Sequence, residues 1–356
     1  MIAAFGVGAF ATHYLNVVMH ECAHNLVVGT TARNKAPVFV LGCGRSGTTL
    51  LYHMLLSAGN FVVYRAESNA INLLEPRFGD LSVKRNKEKL MDAWLASKLF
   101  ERSGLEAQAI TAKVIAECQN GGDFLRIIMS EMARQQNVER WADCTPEHLL
   151  YVDRIKETIP EALIVHIIRD GRDSALSLEK GHWIRPFPWQ KREGLAVAGL
   201  YWEWIVQKGR ESGRKLGSDY TEIHFEELVK QPHESLARLG RFIDHDLDYD
   251  RILKVGIGSV SEPNTSFKGS AGEKFNPIGR WKEKFSSTAL RRFEGLVGGT
   301  LKELGYSLAT QEWGAVEKAR LDSMRLSYRA YFDSKLWLKA KTPLGKLFTT
   351  RDLSWL

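Results

Sequence analysis

The sequence lacks the patterns by which several protein classes are recognised. Its four cysteines form no CxxC pair, so neither a zinc finger nor a disulfide framework is predicted, and the thiols are expected to be reduced. An RNP motif and long lysine or arginine blocks are absent, which argues against a nucleic-acid partner. Internal repeats and low-complexity segments are absent as well.

The apolar N-terminus lacks the basic residues that open a secretory signal. Polar side chains interrupt the apolar run and would be costly in lipid. The stretch His20–His24 reads HECAH and satisfies the zinc pattern HExxH. Extended to Asn34, it is similar to the first histidine box of membrane fatty-acid desaturases. Because no further boxes and no zinc-protease domain are recognisable, we predict no metal site and interpret residues 1–35 as a fused or relic fragment.

What the sequence does contain is the composition of an ordinary folded protein. Of its 356 residues, 44% are hydrophobic and 26% are charged. The formal net charge of +7 suits an anionic ligand or surface, but does not choose between them.

Apolar runs and helical patterns alternate along the chain. Val38–Leu41, Leu163–Ile168 and Tyr220–Phe225 are predicted strands, and each is followed by a helical pattern. The first helix is predicted to begin at Thr48 and end at Gly59; the second begins near Asp173; the third restarts after Pro232. A further strand is predicted at Phe61–Tyr64, and residues 83–140 are predicted to be mostly helical. This order indicates an α/β fold with a parallel sheet and a helical insertion.

A glycine-rich loop separates the first strand from its helix. Residues 42–49 read GCGRSGTT, so the backbone can wrap an anion at a helix N-terminus. Gly42 and Gly47 have the spacing of a Walker A motif, but Thr48 stands where that motif has lysine. The missing cation argues against an ATPase or kinase, and Arg45 offers a cation from a different position.

The run Arg45–Leu50 resembles the 5′-phosphosulfate loop of sulfotransferases that use 3′-phosphoadenosine-5′-phosphosulfate (PAPS). This resemblance extends over residues 36–310 and is closest to tyrosylprotein sulfotransferases and their bacterial relatives. It implies a P-loop-type fold, with PAPS as co-substrate and no permanently bound cofactor. The residues it implies for the 5′-phosphosulfate are Arg45, Ser46, Gly47, Thr48 and Thr49, and Arg45 is also expected to act in catalysis.

The segment 167–177 resembles the 3′-phosphate motif of the same family. Arg169 closes the predicted strand and Ser177 follows eight positions later, as in that motif. Arginine grips a phosphate with two donors, although Arg169 could instead form a surface ion pair with Asp170 or Asp173. Further on, Lys268 and Gly269 resemble a late basic-glycine step that contacts the 3′-phosphate.

The resemblance also implies a catalytic base shortly after the second strand, where Glu67 stands. His148 and His53 are the reserve candidates. The segment 141–148 resembles a K-T-P-x-H element, but Cys144 replaces its lysine and cannot supply a positive charge. Arg65 or Arg280 would then be the substitute cation.

Together these features predict a sulfotransferase whose acceptor is a hydroxyl of a carbohydrate, lipid, phenol or peptidyl tyrosine. A P-loop kinase or ATPase and a non-catalytic nucleotide-binding protein are the alternatives. The sulfotransferase domain is assigned to residues 36–310, and residues 311–356 to a basic amphipathic helical tail. A cytoplasmic location is predicted, with peripheral membrane contact through the N-terminal segment or this tail as the alternative.

Overall fold

A parallel sheet lies at the centre of the computed structural model, which describes residues 33–262, 276–310, 313–342 and 344–348. Its strands are β1 (Val38–Gly42), β2 (Ala142–Asp143), β3 (Leu163–Ile168) and β4 (Tyr220–His224), in the spatial order β2-β1-β3-β4. Gly42 pairs with Ile167 and Ile168 pairs with His224. The carboxyl ends of β1, β3 and β4 therefore meet at one edge, where open α/β sheets bind their ligands.

Helices cover both faces of the sheet. In chain order they are α1 (Thr48–Ala58), α2 (Glu75–Phe78), α3 (Lys84–Leu95), α4 (Lys98–Ser103), α5 (Ala107–Glu117), α6 (Gly121–Gln136), α7 (Val152–Thr158), α8 (Gly171–Lys180), α9 (Gly194–Gly213), α10 (Phe225–Lys230), α11 (Pro232–Ile243), α12 (Tyr249–Val255), α13 (Trp281–Lys284), α14 (Ser287–Glu303), α15 (Ala315–Lys341) and α16 (Gly345–Phe348). A π-helix spans Ala70–Leu74, and short 3₁₀ segments span Pro146–Tyr151, Pro188–Glu193, Arg214–Asp219 and Gly258–Val260.

The central strand shows why this sheet is buried on both faces. Phe39 and Leu41 of β1 point into one apolar cluster, which includes α6 and α9. Val38 and Val40 point into a second cluster with α1 and α11. The uninterrupted apolar run of β1 is thus explained, because alternating side chains each meet a helical layer.

The predicted α/β class with a parallel sheet and a helical insertion is confirmed. The predicted strand Phe61–Tyr64 is wrong: only Phe61 forms a bridge, to Arg140. The Val62 N–H still donates to the Arg140 carbonyl at 2.7 Å, but the Val63 N–H donates to the Gln136 side chain at 2.8 Å, so no strand continues. The helix after β3 begins at Gly171 rather than near Asp173.

The apolar face of the C-terminal helix packs on the domain. Leu321, Met324, Tyr328 and Phe332 of α15 are buried in the same cluster as α9. Contact with a membrane through the tail stays a prediction, but this apolar face is already occupied. In the part of the chain that the structure describes, no helix has the length and apolar character to cross a bilayer. Most of residues 1–35 lies outside the described residues.

Candidate functional site

The loop between β1 and α1 contains two residues with a left-handed backbone conformation. Arg45 has φ 72° and Gly47 has φ 97°. A Cβ atom at Gly47 would lie 2.4 Å from the Phe225 ring, so glycine is required there by space as well as by conformation. Arg45 tolerates a conformation that costs a residue with a Cβ about 1–2 kcal/mol, as residues at ligand sites often do.

This loop presents hydrogen-bond donors at its inner side. The first N–H groups of α1 have no partner within the helix, and their dipoles favour an anion. The Ser46 side chain is fully buried, and its hydroxyl has no hydrogen-bond partner among the residues described. A buried hydroxyl without a partner is costly, so a ligand oxygen at this loop would satisfy it.

The second motif lies beside the loop, as the parallel register of β1 and β3 requires. The Arg169 guanidinium donates to the Arg45 carbonyl at 2.9 Å and to the Pro277 carbonyl at 2.5 Å. It also stacks over the Phe225 ring at 4.6 Å. Its Nε atom is buried and has no partner within the described ranges. Arg169 is 8% exposed, so the surface ion pair considered from the sequence is not what the structure contains.

The two aspartates of residues 169–173 (RDGRD) have structural partners instead. Asp170 caps α8 and pairs with the buried Arg172, which also reaches Glu294 at 2.7 Å. Asp173 accepts hydrogen bonds from the Gly279 and Trp281 N–H groups, at 2.7 and 3.0 Å. Asp173 therefore fixes residues 279–282 (GRWK) against the second motif, a role that its sequence position did not suggest.

Arg45 joins the two motifs directly. Its Nε atom donates to the Ser177 hydroxyl at 3.0 Å. Burial lowers the pKa of Arg45, and the nearby carboxylate of Glu67 opposes this shift. The structure thus brings the first loop, the second motif and the predicted base into one site.

Arg169 lies close to two other arginines, Arg45 and Arg280. Burial lowers the pKa of Arg169, and the neighbouring Arg45 charge lowers it further, although Asp173 and Glu226 partly compensate. Burial and Arg169 likewise lower the pKa of Arg280. Arg169 is thus repelled by both Arg45 and Arg280, and an anion bound beside it would relieve this repulsion.

The segment that carries Glu67 is held by a buried polar network. Asp143 accepts from the Thr145 N–H at 3.0 Å and lies 2.9 Å from His148 Nδ1. The Thr145 hydroxyl accepts from the Asn69 N–H at 3.2 Å. His148 Nε2 accepts from the Ile71 N–H at 3.3 Å. The K-T-P-x-H-like segment therefore positions the segment that follows Glu67.

The three candidate bases differ in their contacts and exposure. Both ring nitrogens of His148 are engaged and its side chain is fully buried. His53 accepts from the Ser259 N–H at 2.8 Å, and burial, assisted by Arg65, lowers its pKa to about 4. Glu67 is solvent-exposed beside Arg45. Of the three candidates, Glu67 alone combines access with proximity to the loop.

Cys144 is buried and neutral. Burial, with Asp143 and Glu67, raises the pKa of its thiol far above the ordinary value. It supplies no cation. Of the two substitute cations expected from the sequence, Arg280 lies near Arg169 of the second motif. Arg65 is exposed and lies toward His53.

Two predicted ligand residues, Lys268 and Gly269, lie outside the described residues, and so does the HExxH stretch. Within the described ranges no group of three histidine, cysteine or acidic side chains is arranged to hold a metal ion. Sequence reasoning missed Asp173, Asp143 and Thr145 as supports of the site. Asp143 and Thr145 stand in the K-T-P-x-H-like segment, which was the available signal.

Among curated proteins no relative was found. Solved structures similar to this chain include the sulfotransferase domain of the olefin synthase of Synechococcus PCC 7002, 16% identical, covering 81% of this chain and 94% of that one, with a TM-score of 0.46. The sulfotransferase domain of the curacin biosynthetic pathway is 15% identical. The match covers 82% of this chain and 98% of that one, with a TM-score of 0.44. A sulfotransferase from Mycobacterium avium is 14% identical. The match covers 77% of this chain and 78% of that one, with a TM-score of 0.41.

A family model gives the assignment. The model described as the sulfotransferase family matches residues 37–249, which include both anion motifs, Glu67 and the buried network around Asp143. The match extends over more than half of the chain. This protein belongs to the sulfotransferase family.

Proposed function

We propose that the protein transfers a sulfonate group from PAPS to an acceptor hydroxyl, with Glu67 as general base. The observation that carries the proposal is the hydrogen bond between Arg45 and Ser177. It joins a loop suited to a 5′-phosphosulfate with a motif suited to a 3′-phosphate. PAPS carries both groups on one nucleoside.

The residues of the two motifs fit PAPS as the sulfonate donor. The unpartnered Ser46 hydroxyl and the N-terminus of α1 suit the 5′ end, and the unpartnered Arg169 Nε and Ser174 hydroxyl suit the 3′ end. These atoms lie in two adjacent motifs at one edge of the sheet. A ligand with two separated anionic groups would satisfy both sets.

The proposed reaction is an in-line displacement at sulfur. The acceptor oxygen forms a bond to sulfur while the bond from sulfur to the 5′-phosphate oxygen breaks, and 3′-phosphoadenosine 5′-phosphate (PAP) leaves with the electron pair. Glu67 takes the acceptor proton. Arg45 stabilises the negative charge that develops on the leaving oxygen, and the mutually repelling arginines raise the local attraction for anions.

A kinase or ATPase is disfavoured by two residues. Thr48 occupies the position of the Walker lysine. Asp170, the carboxylate after the apolar strand, is bonded to Arg172 and caps α8, so it is committed to the fold.

Calorimetric titration with PAP and with AMP tests the donor assignment. We expect PAP to bind at least about tenfold more tightly, since a charge-assisted phosphate contact is worth about 1.5–3 kcal/mol. Equal affinity would remove the 3′-phosphate assignment. Radiolabelled PAPS with a panel of sugars, phenols, lipids and tyrosine peptides then tests transfer. Tight PAP binding with no transfer to any acceptor would favour a non-catalytic nucleotide-binding protein.

A further inference from the structure

We propose that the C-terminal helix positions the catalytic glutamate: Lys339 of α15, acting through Glu147 and Asn72, holds the segment that carries Glu67. This rests on the proposed function, in which Glu67 is the base. The helix α15 lies outside the family-matching part of the chain, residues 37–249.

A continuous chain of polar contacts joins the helix to Glu67. Lys339 Nζ lies 3.3 Å from a Glu147 carboxylate oxygen. The same oxygen accepts from the Asn72 amide at 3.3 Å. Asn72 also donates to the Asn69 side-chain oxygen at 3.2 Å, and the Asn69 amide donates to the Glu67 carbonyl at 3.0 Å.

The segment after Glu67 needs such restraints because its backbone is irregular. Asn69 has φ 52°, in the left-handed region, and a π-helix follows at Ala70–Leu74. Both conformations are sparsely populated and persist where surrounding contacts determine them. One restraint is the buried network of Asp143, Thr145 and His148. The second is the Glu147–Asn72 contact.

Lys339 holds the Glu147 carboxylate against the Asn72 amide, because both side chains contact the same carboxylate oxygen. The Lys339 side chain is 17% exposed, whereas that of Glu147 is 52% exposed. Without Lys339, the carboxylate would be free to turn to solvent, because about half of its side chain is already exposed. The Asn72 amide would then lose an acceptor.

The helix is a fixed support for this contact. Four apolar residues of α15 are buried in the core, and Arg325 forms a two-bond ion pair with Glu203 at 2.7 and 2.8 Å. Trp204 donates to Asp333 at 3.0 Å. Lys339 lies about 1.7 turns beyond Asp333, the last of these anchors. Its substitution is therefore expected to leave α15 in place.

The test compares Lys339→Met, which keeps the apolar stem, with Lys339→Arg, which keeps the charge. Lys335→Met is the matched control, because Lys335 is exposed on the same helix. We expect Lys339→Met to lower kcat about tenfold, at unchanged PAP affinity and unchanged acceptor KM, since small misplacement of a reacting group lowers rates by up to about 10²-fold. Lys339→Arg should recover at least half of the rate, and Lys335→Met should match the wild type.

Hydrogen exchange gives a readout independent of activity. The amides of residues 67–74 should exchange at least about threefold faster in Lys339→Met, and at the wild-type rate in Lys335→Met. Unchanged exchange would overturn the contact itself. Faster exchange with wild-type kcat would overturn its role in positioning. Neither result would change PAP affinity. A failure of the donor assignment would therefore be recognised separately, in the PAP titration.

A double substitution distinguishes the relay from two independent effects. If Lys339 acts through Glu147, then Lys339→Met combined with Glu147→Gln should be no slower than the slower single variant. Losses in kcat that multiply would show independent action and would overturn the relay.

Discussion

Arg45 Nε and the Ser177 hydroxyl are joined by a hydrogen bond of 3.0 Å, although the two residues are 132 positions apart in the sequence. The contact exists because β1 and β3 are neighbours and parallel, so the loop after one and the helix after the other meet at the same edge. The site for a single ligand is thereby assembled from two separate motifs.

Replacing Arg45 tests the first loop. Arg45→Ala removes the cation expected at the leaving oxygen, so transfer should fall by about 10²–10³-fold or more. PAP affinity and kcat should be measured separately, with circular dichroism as the control for folding. Turnover near the wild-type rate in a folded variant would remove the loop from the mechanism.

Replacing Arg169 tests the second motif. Arg169→Lys keeps one charge but loses the planar fork, so PAP should bind about 10–100-fold more weakly, as expected for the loss of about 1.5–3 kcal/mol of charge-assisted hydrogen bonding. AMP, which has no 3′-phosphate, should bind almost as before, and calorimetry with both nucleotides checks this. An equal loss for PAP and AMP would point to a role in holding the Arg45 and Pro277 carbonyls instead.

Glu67→Gln preserves the shape of the side chain and removes its basicity. Loss of a general base lowers kcat by about 10²–10⁴-fold, while PAP affinity should change little. Steady-state kinetics and PAP titration measure the two effects. An unchanged kcat would transfer the role to another group.

Replacing Gly47 tests the requirement for glycine in the loop, and Gly104, another left-handed glycine, is the matched control. Gly104→Ala places a Cβ on a left-handed residue in open space, so it should cost about 1–2 kcal/mol of unfolding free energy. Gly47→Ala adds a clash with Phe225 at 2.4 Å and should cost about 1–3 kcal/mol more. Urea denaturation measures both, and PAP binding should be lost in Gly47→Ala alone. Equal losses of unfolding free energy in the two variants would contradict the predicted clash with Phe225.

A buried histidine predicts a loss of stability in acid. Burial lowers the pKa of His166 to about 4, whereas in the unfolded chain it has the ordinary value of about 6.5. The unfolded state binds protons first as the pH falls. The free energy of unfolding should therefore drop, by up to about 2 kcal/mol from this group, between pH 7 and pH 5.

Denaturation at both pH values in two variants checks the assignment. His166→Gln should lose less stability between pH 7 and pH 5 than the wild type. His233→Gln, at a side chain that is 65% exposed, should lose as much as the wild type. An identical pH dependence in all three proteins would contradict the prediction.

The strand Phe61–Tyr64 marks a limit of sequence patterns. Its apolar residues fit a strand, yet Phe61 and Val62 are buried while Val63 is exposed and bonded to a side chain of α6. Whether a short apolar segment joins a sheet depends on whether a neighbouring strand offers its backbone groups. Here the adjacent segment is the end of α6 and the residues that follow it. It offers its backbone at Arg140 but a side chain at Gln136.

The sequence by itself determined the anion loop, the order of strands and helices, and the family. Glycines that permit positive φ, an apolar run and a helix start are local properties, and they stand together in residues 38–59. The tertiary structure alone decided which side chains meet: Arg45 with Ser177, Asp173 with the Gly279 N–H, and Lys339 with Glu147. Each of these contacts joins segments more than a hundred residues apart, and their proximity follows from the packing of helices on a parallel sheet.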